Sequence, residues 1–257
     1  MSRKGQLKFD QFGFSMPITD PYVPGPPTWA RGGEQFMISF EMDYDSIAHR
    51  VPELLELDGD VPHGALLCTY TPFITDSTPF IETQLIYCVT YNGKPYNYVT
   101  NLFVSQEEAL VAGREIYGYA KKMAYMDYFT NKGQICVTVD RPKGFRILSA
   151  SVRTRRPLAA ETLEYRDTLL LKLIPSPVKD AGPQVCQLIG VEAKGDPIIC
   201  SDNLPDFWEC DGSLSWGIQS KEDPWSETRI TKITSAFYGR SNIVLPHGYI
   251  VHDYLND

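Results

Sequence analysis

The sequence predicts a mainly β (α+β) protein, an antiparallel sheet closing into a β-barrel with a few short helices, on three observations. Runs of alternating apolar or β-branched residues recur along most of the chain. Short segments rich in Gly, Pro and Asn separate them, and only brief stretches carry helix signals. At 257 residues the chain is long enough to bury a sizeable core, and barrels of this size commonly fold as one unit. No repeat, low-complexity tract or long linker divides it, so a single domain over residues 1–257 is expected.

The elements follow in order. Phe36, Ile38, Phe40 and Met42 alternate with Gln35, Ser39 and Glu41 and mark the first strand, although Met37 blurs its polar face. Asp43 is placed to cap a short helix over 44–50, which Pro52 ends. Residues 83–91 are β-branched and aromatic, and Asn92-Gly93 turns them as a hairpin into 96–104. Ser105 and Glu108 form the Ser-x-x-Glu pattern of a capping box, opening a helix through about Gly113. Further strands are expected at 134–139, 146–152, 168–174, 184–191 and 228–237, with a third helix over Pro157–Leu163.

Composition excludes several functions. A formal net charge of −8 argues against nucleic acid, whose binding surfaces are basic. No run approaches the roughly 18 apolar residues of a membrane span, and the amino terminus lacks the apolar stretch of a signal peptide. The six cysteines are scattered, several inside apolar strand patterns, which suits a reducing compartment. A cytoplasmic protein is expected, with no membrane partner. The four histidines show no metal-ligand spacing, and no phosphate-binding loop, dinucleotide fingerprint or Gly-x-Ser-x-Gly elbow occurs. The expected chemistry uses no metal and no organic cofactor.

The most informative segment is Gly113-Arg114-Glu115-Ile116-Tyr117-Gly118-Tyr119-Ala120-Lys121-Lys122-Met123-Ala124. Two adjacent lysines stand among Tyr, Ala and Met. An ammonium beside a second ammonium in apolar surroundings is hard to keep charged, and both effects favour the free amine. A lysine that is a free amine near neutral pH attacks ketones to form a Schiff base. A Lys-Lys pair taken alone is more often a solvated surface feature, so the context decides.

Gly-Arg-Glu, a short aromatic stretch, then Lys-Lys and a small apolar pair resembles the active-site signature of the acetoacetate decarboxylase family. The resemblance covers most of the chain. Pro17-Ile18-Thr19-Asp20-Pro21, Val51-Pro52-Glu53-Leu54-Leu55-Glu56-Leu57 and Tyr91-Asn92-Gly93 fit it upstream. Leu171-Lys172-Leu173-Ile174-Pro175, Val185-Cys186-Gln187-Leu188 and Val244-Leu245-Pro246 fit it downstream, in order. This family is the standard illustration of a lysine activated by a cationic neighbour. The resemblance implies the fold above, Lys121 as the Schiff-base nucleophile, Lys122 as the neighbour that favours its free amine, and Glu82 as a pocket carboxylate. It also implies a homo-oligomer.

A protonated imine is an electron sink. With a β-keto acid it accepts the electrons released as carbon dioxide leaves. With pyruvate, loss of a methyl proton gives an enamine that adds to an aldehyde, and water is then eliminated. The sequence departs from the decarboxylases in two places. Gly32-Gly33 precedes Glu34-Gln35-Phe36 where the family carries an arginine; Arg31, offset by one residue, is the candidate replacement. The stretch Gly64-Ala65-Leu66-Leu67-Cys68 contains no carboxylate where the family carries a second glutamate. The expected function is therefore a cofactor-independent lyase on small oxo acids. Aldol condensation–dehydration with pyruvate-like 2-oxo acids and an aldehyde, or its reverse, is placed ahead of acetoacetate decarboxylation. A biosynthetic dehydratase or cyclase and a non-catalytic ligand-binding barrel are the alternatives. Tyr249 is an acid candidate for addition or dehydration, and Tyr117, four residues before Lys121, a further pocket candidate.

Overall fold

The computed structural model describes residues 3–158, 166–192, 194–218 and 220–256. Its strands are β1 (Thr28–Met42), β2 (Glu56–Leu57), β3 (His63–Thr71), β4 (Phe73–Ile74), β5 (Phe80–Tyr91), β6 (Lys94–Val104), β7 (Lys121–Met123) and β8 (Tyr125–Asn131). There follow β9 (Gln134–Asp140), β10 (Arg146–Pro157), β11 (Asp167–Ile174), β12 (Val185–Val191), β13 (Lys194–Pro197), β14 (Phe207–Trp216), β15 (Ile230–Leu245) and β16 (Tyr249–Asp253). Helix α1 spans Tyr44–Ile47 and α2 spans Glu107–Ala112, the latter running into a π-helical turn over Gly113–Tyr117.

The strands form one sheet, with main order β16-β12-β11-β6-β5-β3-β1-β15-β14-β10-β9-β8. The barrel was expected to close, but the described strands form an open path ending at β16 and β8. Within the path the outer edge of β6 is divided: β11 pairs with Tyr96–Tyr98 and β7 with Leu102–Val104, both parallel. Packing completes the wrap instead: the Tyr128 ring of β8 stacks on Tyr70 of β3 at 5.8 Å.

The sheet buries apolar side chains on both faces. Odd positions of β5 (Leu85, Tyr87, Val89) and Phe103 of β6 join Phe36, Ile38 and Phe40 in the larger core. Ile86, Leu102 and Val104 lie on the other face, in a smaller core with Ala109 of α2 and Tyr117. This second face holds the candidate site.

Local signals were mostly obeyed. Asp43 caps α1, its Oδ1 accepting from Asp45 N at 2.9 Å. Asn92 and Gly93 both take positive φ, 49° and 76°, as the hairpin requires. The capping box does not form. Ser105 Oγ accepts from Ile81 N at 2.8 Å and Glu108 bonds Thr78, so α2 starts one residue later than expected, with Gln106 at its N-cap. The strand that begins at residue 146 runs on through Pro157, and the rest of the third expected helix falls outside the described residues from 159 on.

Candidate active site

Lys121 reaches its position through a crossover. A parallel strand cannot follow its neighbour by a tight turn, so the chain leaves β6 at Val104 and passes through α2 and the π-turn. It returns as β7 beside the strand it left, pairing Lys121 with Leu102 and Lys122 with Phe103. The edge of β7 away from β6 is covered by guanidinium groups. Arg114 Nη1 donates to Lys121 O at 3.1 Å, and Arg141 Nη1 to Met123 O at 2.6 Å.

Strand register assembles the rest. Phe80, Glu82 and Gln84 alternate on one face of β5, and Lys121 shares that face with Leu102. Lys121 is buried and its Nζ lies 3.0 Å from Glu82 Oε2. The other Glu82 oxygen accepts from Gln84 Nε2 at 3.0 Å. The Phe80 and Tyr119 ring centroids stand 5.6 and 5.3 Å from Lys121 Nζ, distances at which aromatic faces attract a cation. Burial raises the Tyr119 phenol above its ordinary pKa, so it stays protonated at neutral pH. Gly113 supplies the floor. A Cβ there would come within 2.6 Å of both Cδ and Cε of Lys121, so only glycine lets the lysine stem lie against the π-turn.

The two lysines are not neighbours in space. Successive side chains of a strand point to opposite faces, so Lys122 emerges on the Phe103 side. There its Nζ contacts Asp223 Oδ1 at 2.8 Å and the Glu222 carbonyl. Asp223 is buried and also takes Arg141 Nε at 2.9 Å. The expectation of ammonium beside ammonium is thus corrected: strand alternation separates the charges, and Asp223 balances Lys122.

Glu82 and Lys121 are the expected residues that come together. Arg31 is exposed on β1, where that strand pairs with Phe73 of β4, and makes no ion pair among the described residues. Tyr117 is buried in the π-turn with its hydroxyl donating to Pro246 O at 3.0 Å. Tyr249 Oη bonds Asp167 at 2.7 Å and accepts from Lys94 Nζ at 2.9 Å. Lys94 begins β6, so it stands about 26 Å along the strand from Leu102 at ~3.3 Å per residue. Tyr117 and Tyr249 instead line a separate cavity of about 200 Å³ with Phe14 and His247.

Sequence reasoning missed Phe80, Gln84, Tyr119 and Gly113. The spacing Phe80-x-Glu82-x-Gln84 carried the signal for the first two, since period two puts all three on one face. It also missed Thr69, directly opposite Glu82 on β3, and Gln35, opposite Thr69 on β1. These continue a polar row across the sheet, because opposed residues of an antiparallel pair share a face.

The family model for acetoacetate decarboxylase matches residues 15–255. The chain belongs to the acetoacetate decarboxylase family. It is 25% identical over 246 residues to the acetoacetate decarboxylase of Clostridium acetobutylicum, covering 94% of this chain and 96% of that one. Acetoacetate decarboxylase 2 of Mesorhizobium japonicum is 26% identical over 247 residues, covering 94% and 90%. Among solved structures, the acetoacetate decarboxylase of Legionella pneumophila superposes with a TM-score of 0.82 at 26% identity, over 99% of this chain and 100% of that one. The enduracididine biosynthesis enzyme MppR, complexed with the condensation product of pyruvate and imidazole 4-carboxaldehyde, shares the fold. Its TM-score is 0.78 at 17% identity, over 98% and 100% of the two chains. This acetoacetate decarboxylase family member is an enzyme of the decarboxylase or lyase type.

Proposed function

We propose that the protein is a cofactor-independent lyase that forms a Schiff base between Lys121 and small oxo acids. The observation that carries this reading is the contact of 3.0 Å between Lys121 Nζ and Glu82 Oε2, set between two aromatic rings. Passing one proton from Lys121 to Glu82 gives a neutral amine and a carboxylic acid. The amine adds to the ketone carbon, and the acid protonates the departing hydroxyl, so that water leaves and an iminium remains.

From pyruvate, Glu82 as carboxylate takes a methyl proton, and the enamine carbon attacks an aldehyde carbon. The acid form of Glu82 protonates the resulting alkoxide. As carboxylate again it removes a second proton from the same carbon and delivers it to the hydroxyl, which leaves as water, and hydrolysis of the imine releases an unsaturated oxo acid. One carboxylate suffices for every proton in that sequence. Aldol condensation–dehydration, or its reverse, is therefore placed first, because β3 contributes Leu67 opposite Gln84 and no second carboxylate. Decarboxylation of a β-keto acid is the second reading. It is favoured by the relatives at 25–26% identity, which are named acetoacetate decarboxylases.

Borohydride trapping with pyruvate and, separately, with acetoacetate tests both, read by peptide mass spectrometry. A pyruvate-sized adduct on Lys121 supports the 2-oxo acid reading. An acetone-sized adduct from acetoacetate supports decarboxylation. No adduct on Lys121 with either would count against the Schiff-base reading.

A further inference from the structure

We propose that Lys172 is a positioning residue for the Lys121 amine, acting through the π-turn that lies between them. The proposal rests on the Schiff-base reading of Lys121. Lys172 is on β11, and its Nζ donates to Ile116 O at 2.8 Å. That carbonyl belongs to the last turn of the π-helix, where carbonyls lack partners within the helix. Lys172 is half-buried and makes no ion pair among the described residues, and burial lowers its pKa. Partly burying an ammonium without a carboxylate is costly, and the compensation it obtains is the Ile116 carbonyl.

The stem of Lys172 holds the same turn from below. Gly118 has φ +91°, and a Cβ on it would come within 2.5 Å of both Cα and Cβ of Lys172. The turn therefore sits directly on the β11 backbone at its C-terminal end. At its N-terminal end a Cβ on Gly113 would meet Cδ, Cε and Nζ of Lys121. Gly113 O joins the two ends, accepting from Gly118 N at 2.9 Å and from Tyr119 N at 3.0 Å. The π-turn is thus a wedge with β11 on one side and Lys121 on the other. Removing the Lys172 donor frees Ile116 O, loosens the wedge and lets the Lys121 stem leave its reactive orientation. Displacements of about 1 Å at a reacting group cost up to ~100-fold in rate.

The test compares wild type, Lys172→Met and Lys172→Arg by the rate of borohydride trapping at Lys121 over a range of pyruvate and acetoacetate concentrations. Amide exchange at Gly118 and Tyr119 is followed in parallel. The Met variant should trap ~10- to 100-fold more slowly at saturation, with its half-saturating concentration little changed and faster exchange at both amides. The Arg variant keeps a long donor for Ile116 O and should recover most of the rate. Trapping by Lys172→Met at the wild-type rate overturns the proposal, as does equal loss in the Met and Arg variants. Wild-type protein that gives no Lys121 adduct instead sinks the Schiff-base reading, and the proposal with it.

Discussion

Lys121 and Lys122, joined by one peptide bond, stand on opposite faces of the sheet, the first beside Glu82 and the second beside Asp223. Each ammonium therefore has its own carboxylate, and β7 is held from both sides. Lys121 and Lys122 are linked through the backbone of the strand they share.

This arrangement makes Asp223 a test of how Lys122 acts. Lys122→Met and Asp223→Asn should slow trapping at Lys121 to a similar degree, and the double variant should be no slower than either. Each should also lower stability by about 1.5–3 kcal/mol, the value of a hydrogen bond to a charged group. If repulsion between the lysines were the operative effect, Asp223→Asn would leave the Lys122 charge unbalanced and speed trapping.

Glu82→Gln keeps the shape of the side chain and removes its proton-transfer capacity. Turnover should fall about 10²- to 10⁴-fold, the usual contribution of a positioned acid–base group. Steady-state assays paired with single-turnover trapping check this. If turnover stays within a few-fold of wild type, the proton route through Glu82 is wrong.

Gly113→Ala puts a methyl group where the Lys121 stem lies. Alanine is ~1 kcal/mol better than glycine in a helix, so propensity alone would stabilise the variant. The steric reading instead expects loss of the Lys121 adduct with the fold retained. Circular dichroism and adduct mass together decide between them.

Tyr117 supplies a pH dependence. Burial pushes its phenol up to about 12 from the ordinary 10.0. Between those values the unfolded chain gives up the proton while the folded chain keeps it, so this contribution is whole below pH 10. It declines as pH rises and is gone above the folded value. Tyr117→Phe should cost about 1 kcal/mol at neutral pH for the lost bond to Pro246. Thermal melts from pH 10 to 12 should then show a shallower decline for the variant than for wild type.

Much of this could be read in the sequence because it is local. Asn92-Gly93 specifies a turn wherever it occurs, and alternation marked β1, β5, β6, β9 and β11. β14 escaped notice because Asp211, Gly212 and Ser213 resemble a loop. In the fold Gly212 is needed, since a Cβ there would meet Ala236 at 2.8 Å and Ile38 at 3.2 Å. The capping box at Ser105 failed for a similar reason: Ile81, far away in sequence, claimed the hydroxyl. That Lys121 and Glu82 belong to one pocket was legible through motif resemblance. The separation of Lys121 from Lys122 required knowing that residue 121 opens a strand, and three residues give no periodicity to read. Tyr249 could not be placed without the register of β12 with β16.

The divided edge of β6 has an evolutionary consequence. Lys121, its glycine floor and Tyr119 arrive in one excursion, Ser105 to Ala124, that departs from a strand and rejoins the same strand. Such a segment behaves as a cassette. Away from Gly113 and Gly118, which lie against Lys121 and Lys172, its side chains can change without re-registering any other pair of strands, while the lysine at its end remains anchored to Leu102. A family built this way can diversify its reactions by rewriting one insert and leave the architecture untouched.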